Sequence, residues 1–274
     1  MAIVQGSDAS ERFERILIYA DPKCGKTRLA TSLPARFGDI IYVAWDPGTE
    51  RLGPVLPQYR SRLLIKRSVP EPGKPYDPGA DAFVLALNDW SKPHPGAKTL
   101  VWDHMTATAS DILSAIADKG QFSDKHIAIG APGASKMNIP MEGDYGAAQG
   151  TIDRLTTYLF RQPLHLIILT HAMTAESKDG SGLVGGPALV GKAMVRNYAG
   201  RFDTVLRLGR RKVENREAFT CYTDRSPVAS FWTAGIRSHL PVNPIPSIDL
   251  SPDPVNFWEA YDQHFLLAHE TINS

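Results

Sequence analysis

The chain has 274 residues, of which 43% are apolar and 22% charged, and its formal net charge is +1. That composition excludes disordered and collagen-like classes, and the balance of charge leaves no global positive field to draw the protein to nucleic acid, so any such contact must come from a local patch. A chain of this length buries about three quarters of its unfolded surface, enough for one large α/β core.

From Arg15 the sequence reads RILIYA, a strand-length run ending at Asp21-Pro22, and then GKTRLATSLP, whose helical spacing is stopped by Pro34. Further apolar runs follow at Ile40–Trp45, Leu63–Ile65, Thr99–Trp102, Leu164–Thr170 and Thr204–Leu208. Most are continuously apolar rather than alternating, the pattern of strands buried on both faces in a parallel sheet. Helical spacing predicts helices over Asp81–Trp90, Thr106–Lys119, Tyr145–Phe160 and Lys192–Gly200, with Ser110, Asp111 and Asp144 as caps or first-turn acids. Glu71–Ala80, Gly120–Gly143 and Ala175–Val190 are Pro- or Gly-rich and are predicted as surface loops. After Leu208, GRRKVENREAFTCYTDRSPVASFW places polar turns between short strand-like pieces, predicting a β-hairpin extension at the sheet edge. The tail carries a proline-rich strap from Val242 and a short amphipathic piece, Asn256–Ala268. The expected organisation is an N-terminal tail over 1–12, a core domain over 13–240, and a strap with a short helix over 241–274.

Residues 20–27, Ala-Asp-Pro-Lys-Cys-Gly-Lys-Thr, stand where a predicted strand turns into a predicted helix. They match G-x-x-x-x-G-K-[ST] except that Ala20 replaces the first Gly. This chemistry needs backbone N–H groups wrapped round a phosphate, no side chain at Gly25, and a helix N-terminus aimed at the anion. The nucleotide-binding set is Ala20, Asp21, Pro22, Lys23, Cys24, Gly25, Lys26, Thr27 and Arg28. Within it Lys26 reaches the β- and γ-phosphates of ATP, and the Thr27 hydroxyl holds Mg²⁺.

KTLVWD, residues 98–103, is an apolar strand ending in an acid, the arrangement that sets a carboxylate beside the phosphate loop to organise the magnesium. Asp103 is that acid, or else a cap for the segment from Thr106. The loop AWDPGTE supplies two candidates for the water-activating base, Asp46 and Glu50. Asp46 stands at the strand end, on the carboxyl edge where ligands bind, although Asp-Pro-Gly is also a turn sequence. LIILTHA puts Thr170 and His171 at the same edge, where His171 is a candidate γ-phosphate sensor or an ordinary hydrogen-bonded histidine.

Two cysteines, Cys24 and Cys221, are too few for a disulfide framework. The start MAIVQGSDASERFER also lacks a basic region followed by an apolar stretch, so a cytoplasmic location is expected. The run near Leu164–Leu169 falls far short of the roughly 20 residues of a membrane helix, so no membrane association is expected.

Taken in order, IYADPKCGKT, IIYVAWDPGTE, LVWDHMTATASDI, LIILTHAMTAE, GPALVGKAMV and RFDTVLRL resemble the RecA-type P-loop ATPases over roughly residues 13–240. They look most like the compact phage-encoded branch that includes proteins of single-strand annealing and recombination. The resemblance implies a mainly parallel sheet flanked by helices, a DNA-stimulated ATPase using ATP and Mg²⁺, and a bacterial host cell as the setting. Its implied partners are single-stranded DNA, further copies of the chain in a ring or filament, and a single-strand-binding protein. In that family the base at the end of the second strand is Glu, and by position the role falls here on Asp46. The family's DNA-binding loops map onto 120–143 and 175–190, which makes Lys125, Lys136 and Lys178 candidate DNA contacts. A basic residue from a neighbouring subunit completes such sites, and Lys192 and Arg237 are candidates for that trans role. The cluster Arg207, Arg210, Arg211 and Lys212 reads equally as a DNA patch, a subunit contact or a solvated strand end. The same phosphate loop also serves small-molecule kinases and RecA-like motors or loaders of replication and packaging.

Overall fold

The computed structural model describes residues 13–45, 53–67, 77–87, 94–120, 128–129, 137–176, 178, 180, 182–213, 216–223, 235–236, 248–249 and 254–272. The apolar runs become strands of one mixed sheet. In chain order they are β1 (Arg15–Ala20), β2 (Asp39–Ala44), β3 (Leu63–Arg67), β4 (Ala97–Asp103), the two-residue pair β5 (Ala128–Ile129) and β6 (Met137–Asn138), β7 (His165–Glu176), β8 (Leu183–Pro187), β9 (Thr204–Val213), β10 (Arg216–Tyr222), β11 (Gly235–Ile236) and β12 (Ile248–Asp249). The helices are α1 (Lys26–Thr31), α2 (Pro78–Leu87), α3 (Met105–Lys119), α4 (Glu142–Phe160), α5 (Gly191–Asn197) and α6 (Val255–Ile272).

The sheet runs β3-β2-β4-β7-β1-β9-β10-β12, with β8 added on β7 and β11 on β9, while β5 and β6 pair separately. Every pairing from β3 to β9 is parallel, and β9, β10 and β12 are antiparallel. The expected architecture is therefore present: a mainly parallel sheet flanked by helices, with a hairpin extension at its edge. Alternation along each strand divides the core into two layers. Leu17, Tyr19, Ile41, Leu100, Trp102 and Ile168 face α3, α4 and α5, whereas Ile16, Ile18, Ile40, Tyr42, Val101 and Ile167 face Leu29 of α1 and Phe257, Trp258 and Tyr261 of α6.

Several local readings are corrected. The segment 175–190 is not a loop: β7 runs on past the sheet to Glu176 and returns antiparallel as β8, with Met173 opposite Gly186. The second strand of that hairpin packs tightly on α5, because a Cβ at Gly186 would collide with the Val195 carbonyl oxygen. Asp111 lies within α3 rather than at its start and accepts from Trp45 Nε1 at 2.9 Å; the cap of α3 is His104, whose Nδ1 accepts from Ala107 N. Asp144 does act at the start of α4, accepting from Met141 N at 2.8 Å. The helix predicted from Asp81 starts at Pro78, and Lys192–Gly200 divides into α5 and a 3₁₀ turn over Tyr198–Arg201.

The helix expected over Asn256–Ala268 is longer and is no appendage. Phe257, Trp258 and Tyr261 are fully buried against the sheet, and Trp258 Nε1 donates to the Leu29 carbonyl of α1 at 3.0 Å. Arg36 fastens its outer face, donating from Nε to Asp262 at 2.8 Å and from Nη1 to Glu14 at 2.7 Å. The amide of Glu14 in turn donates to His165 Nδ1 at 3.1 Å, tying the approach to β1 onto β7. Trp258→Ala removes both a large buried ring and the hydrogen bond to α1. It is expected to cost about 3–5 kcal/mol in urea unfolding; a loss below about 1 kcal/mol would show that α6 is peripheral.

Candidate functional site

The parallel register brings several polar side chains to one edge. Ala20 at the end of β1 lies beside His171 of β7, and Ala44 at the end of β2 lies beside Asp103 of β4. Strand β7 separates β1 from β4, so the phosphate loop and the acid at the end of β4 face each other across its end. They are joined there: Thr27 Oγ1 donates to Asp103 Oδ2 at 2.9 Å.

The loop before α1 is wound by positive φ at Lys23 (62°) and Gly25 (89°). Alternation of this kind turns successive backbone N–H groups toward one centre and makes an anion-binding concavity. Gly25 adopts its conformation without steric cost, the physical reason for glycine at that step. Lys26 is buried, with 7% of its surface exposed. Its ammonium donates to the carbonyls of Ala20 at 3.0 Å and Asp21 at 3.1 Å, and it stands 3.3 Å from His171 Nδ1. An ammonium has no acceptor, so His171 must accept there through a neutral Nδ1. Burial lowers the Lys26 pKa, against the opposing pull of Asp103, Cys24 and Asp21.

His171 is held in place from several sides. Its amide donates to Thr106 Oγ1 at 2.9 Å, its carbonyl accepts from Ala188 N at 2.7 Å, and its ring meets that of His104 edge-on at 4.5 Å. Burial, followed by the charge of Lys26 and by His104, pushes its pKa down to about 4.

A cleft of about 500 Å³ opens over the loop, lined by Lys23, Gly25, Lys26, Thr27, Arg28 and Leu29 on one side and by Gly53, Pro54, Leu56 and Pro254 on the other. A second hollow of about 440 Å³ lies on the loop's other flank, between Asp21, Pro22 and Cys24 and the β9–β10 hairpin residues Arg207, Gly209, Arg210 and Tyr222. Arg210 Nη2 donates to the Lys23 carbonyl at 3.2 Å, joining that hairpin to the phosphate loop.

The structure thus brings together Ala20 to Arg28, Asp103 and His171. Asp46, Glu50, Lys125, Lys136 and Arg237 lie outside the described residues. Lys178 is exposed at the turn between β7 and β8. Lys192 is paired with Glu176 of its own chain at 2.7 Å. Sequence reasoning missed three contributors: Tyr42, whose hydroxyl donates to Asp103 Oδ2, Thr106 and His104. The first sits in the run IIYVAW, where an aromatic reads as core; only the neighbouring strand reveals what its hydroxyl meets.

The AAA domain family matches this chain over residues 12–237. No curated protein matches it. Among solved structures, a KaiC-like protein from the hyperthermophilic archaeon Pyrococcus horikoshii OT3 is 12% identical, with 76% of each chain covered and a TM-score of 0.41.

Two histidines give the fold a pH dependence of definite sign. His165 is also pushed down to about 4, by burial and then by Arg36 and Lys98. Unfolded, each titrates near ~6.5, so the unfolded chain takes up protons that the folded chain refuses. Stability is therefore full above about pH 6.5 and falls as pH drops toward 4. The urea midpoint should decrease between pH 7.5 and 4.5, less steeply in His165→Gln; equal slopes for the two proteins would refute the assignment for His165.

Proposed function

The chain belongs to the AAA domain family, and from that premise we propose that it binds ATP with Mg²⁺ and hydrolyses it while acting on single-stranded DNA in recombination or strand annealing. The observation that carries the nucleotide part is the convergence of Lys26, Thr27 and Asp103 at one sheet edge, with Thr27 hydrogen-bonded to Asp103 at 2.9 Å.

The donor set suits the metal. Mg²⁺ prefers oxygen ligands, keeps several waters and is commonly held by one or two protein groups together with substrate phosphates. Thr27 and Asp103 supply a hydroxyl and a carboxylate, and among the described residues no group of three or more His, Cys, Asp or Glu side chains forms a metal cage. When bound there, the ion neutralises charge on the β- and γ-phosphates. Lys26 adds a positive charge at the same phosphates, exchanging its carbonyl partners for phosphate oxygens. The apolar side of the cleft, Pro54, Leu56 and Pro254, fits a purine ring. His171 already contacts the lysine that meets the γ-phosphate, which supports a sensor role for it.

Trp45, the residue before Asp46, donates its amide to the Asp103 carbonyl at 2.7 Å, so residue 45 stands at the end of β4 that carries the metal-site carboxylate. That supports Asp46 over Glu50 as the base. Asp46→Asn should leave ATP bound but unhydrolysed while Glu50→Gln keeps turnover; the opposite result moves the base to Glu50.

The DNA reading rests on the basic residues Lys125, Lys136 and Lys178 of the segments 120–143 and 175–190. Each subunit offers few cations, so affinity has to come from several subunits on one strand, through effective concentration. This requires assembly into a ring or filament. Lys192, which pairs with Glu176 of its own chain across an exposed surface, and Arg237 are the candidates for completing a neighbour's site. Among the described residues no helix is long and apolar enough to cross a membrane.

The test measures ATP hydrolysis and particle size with and without single-stranded DNA at two salt concentrations. Hydrolysis should rise with DNA, and assembly should depend on ATP and weaken in salt. Lys26→Ala should lower turnover about 100-fold or more, as removal of a charge-stabilising group does. Full turnover in a folded Lys26→Ala chain would sink the phosphate-loop assignment. A monomer indifferent to DNA would sink the recombination reading, and a phosphorylated small-molecule product would point instead to a kinase.

A further inference from the structure

Asp103 is 3% exposed, and its Oδ2 accepts from two hydroxyls on different elements, Thr27 of α1 and Tyr42 of β2. The two donors are not equivalent. Thr27 lines the nucleotide cleft, and its hydroxyl must also face the metal. Tyr42 does not line that cleft; it is 1% exposed and packed in the apolar layer with Ile18, Ala20 and Val101. Its hydroxyl also hydrogen-bonds the Thr27 side chain.

We propose that Tyr42 is a positioning residue for the magnesium site: its hydroxyl fixes the rotation of the Asp103 carboxylate so that the carboxylate is preorganised for the metal-bound nucleotide. The proposal rests on the ATP-binding reading above.

A carboxylate on one rotatable bond explores a broad, roughly two-fold torsion. Two hydrogen bonds from separate elements remove that freedom, and partners of this kind orient metal ligands generally. Strand β2 holds the main chain of Asp103 as well as its side chain. Ala44 is its register partner, Trp45 N donates to its carbonyl at 2.7 Å, and Trp45 is itself fixed by Asp111 and by stacking on Trp102 at 5.8 Å between ring centroids. A carboxylate can only accept and a tyrosine hydroxyl carries a proton to give, so the phenol is the donor in this pair.

The test uses the full chain and a fluorescent ADP analogue, titrated with Mg²⁺ and, separately, in EDTA. Tyr42→Phe keeps the ring and removes only the donor. The Mg²⁺ concentration giving half-maximal enhancement of nucleotide binding should rise about tenfold, while binding in EDTA is unchanged. Tyr198→Phe is the control for a merely structural hydroxyl: its phenol is fully buried and bonded to Thr156 at 2.8 Å, so it should lower the thermal midpoint without moving the Mg²⁺ dependence. In an Asp103→Asn background, Tyr42→Phe should add less than about a twofold further change, because its effect passes through Asp103.

Wild-type Mg²⁺ dependence in Tyr42→Phe, or an equal loss of binding with Mg²⁺ and with EDTA, overturns the proposal. So does a Tyr42→Phe chain that is unfolded under conditions where Tyr198→Phe is folded, since the hydroxyl then serves the fold alone. A wild-type chain that binds no nucleotide at any Mg²⁺ concentration overturns the ATP-binding reading itself, and the positioning role with it.

Discussion

The Asp103 carboxylate is the joint of this molecule. It ends β4, accepts from the first turn of α1 through Thr27, and accepts from β2 through Tyr42. Three elements distant in sequence thus meet at one oxygen. Buried hydrogen bonds to a charged group matter more than neutral ones, and leaving such an acceptor without donors is costly. The geometry of the phosphate loop and the position of β2 are consequently coupled: a shift of either removes one of that oxygen's donors.

Lys26 follows the same logic with the opposite charge. A buried ammonium is tolerable only when its protons are occupied, and here the carbonyls of Ala20 and Asp21 and the neutral ring of His171 occupy them. These are dipolar partners rather than a direct ion pair. Desolvation lowers the lysine's pKa, which leaves an incoming polyanion with much to offer it. The insertion of β7 between β1 and β4 makes this possible, because it brings the His171 ring to the lysine.

Two peripheral elements brace the loop. Through Trp258, α6 reaches the backbone of α1, and Pro254 just before it lines the cleft over the loop. Through Arg210, the β9–β10 hairpin reaches the backbone of the loop itself. A segment that sequence reading treats as a tail and another that it treats as an edge extension both bear on the same few residues. Events at either are mechanically adjacent to that loop.

Most of what defines the site was legible in the sequence, because the phosphate loop is a contiguous motif whose chemistry depends on local backbone geometry and on the order strand, loop, helix. Continuously apolar runs likewise predicted buried parallel strands, since burial on both faces leaves no polar alternation. Asp103 was legible as an acid at a strand end. The sequence could not show which strands are neighbours, and that decided the rest. Tyr42 became a partner of Asp103 because β2 lies next to β4, and His171 became a partner of Lys26 because β7 lies next to β1. The 175–190 segment became a hairpin through pairing along β7, although its glycines read locally as a loop. Burial of Trp258 was likewise decided by the open face of the sheet over α1, a surface that exists only once the chain has folded.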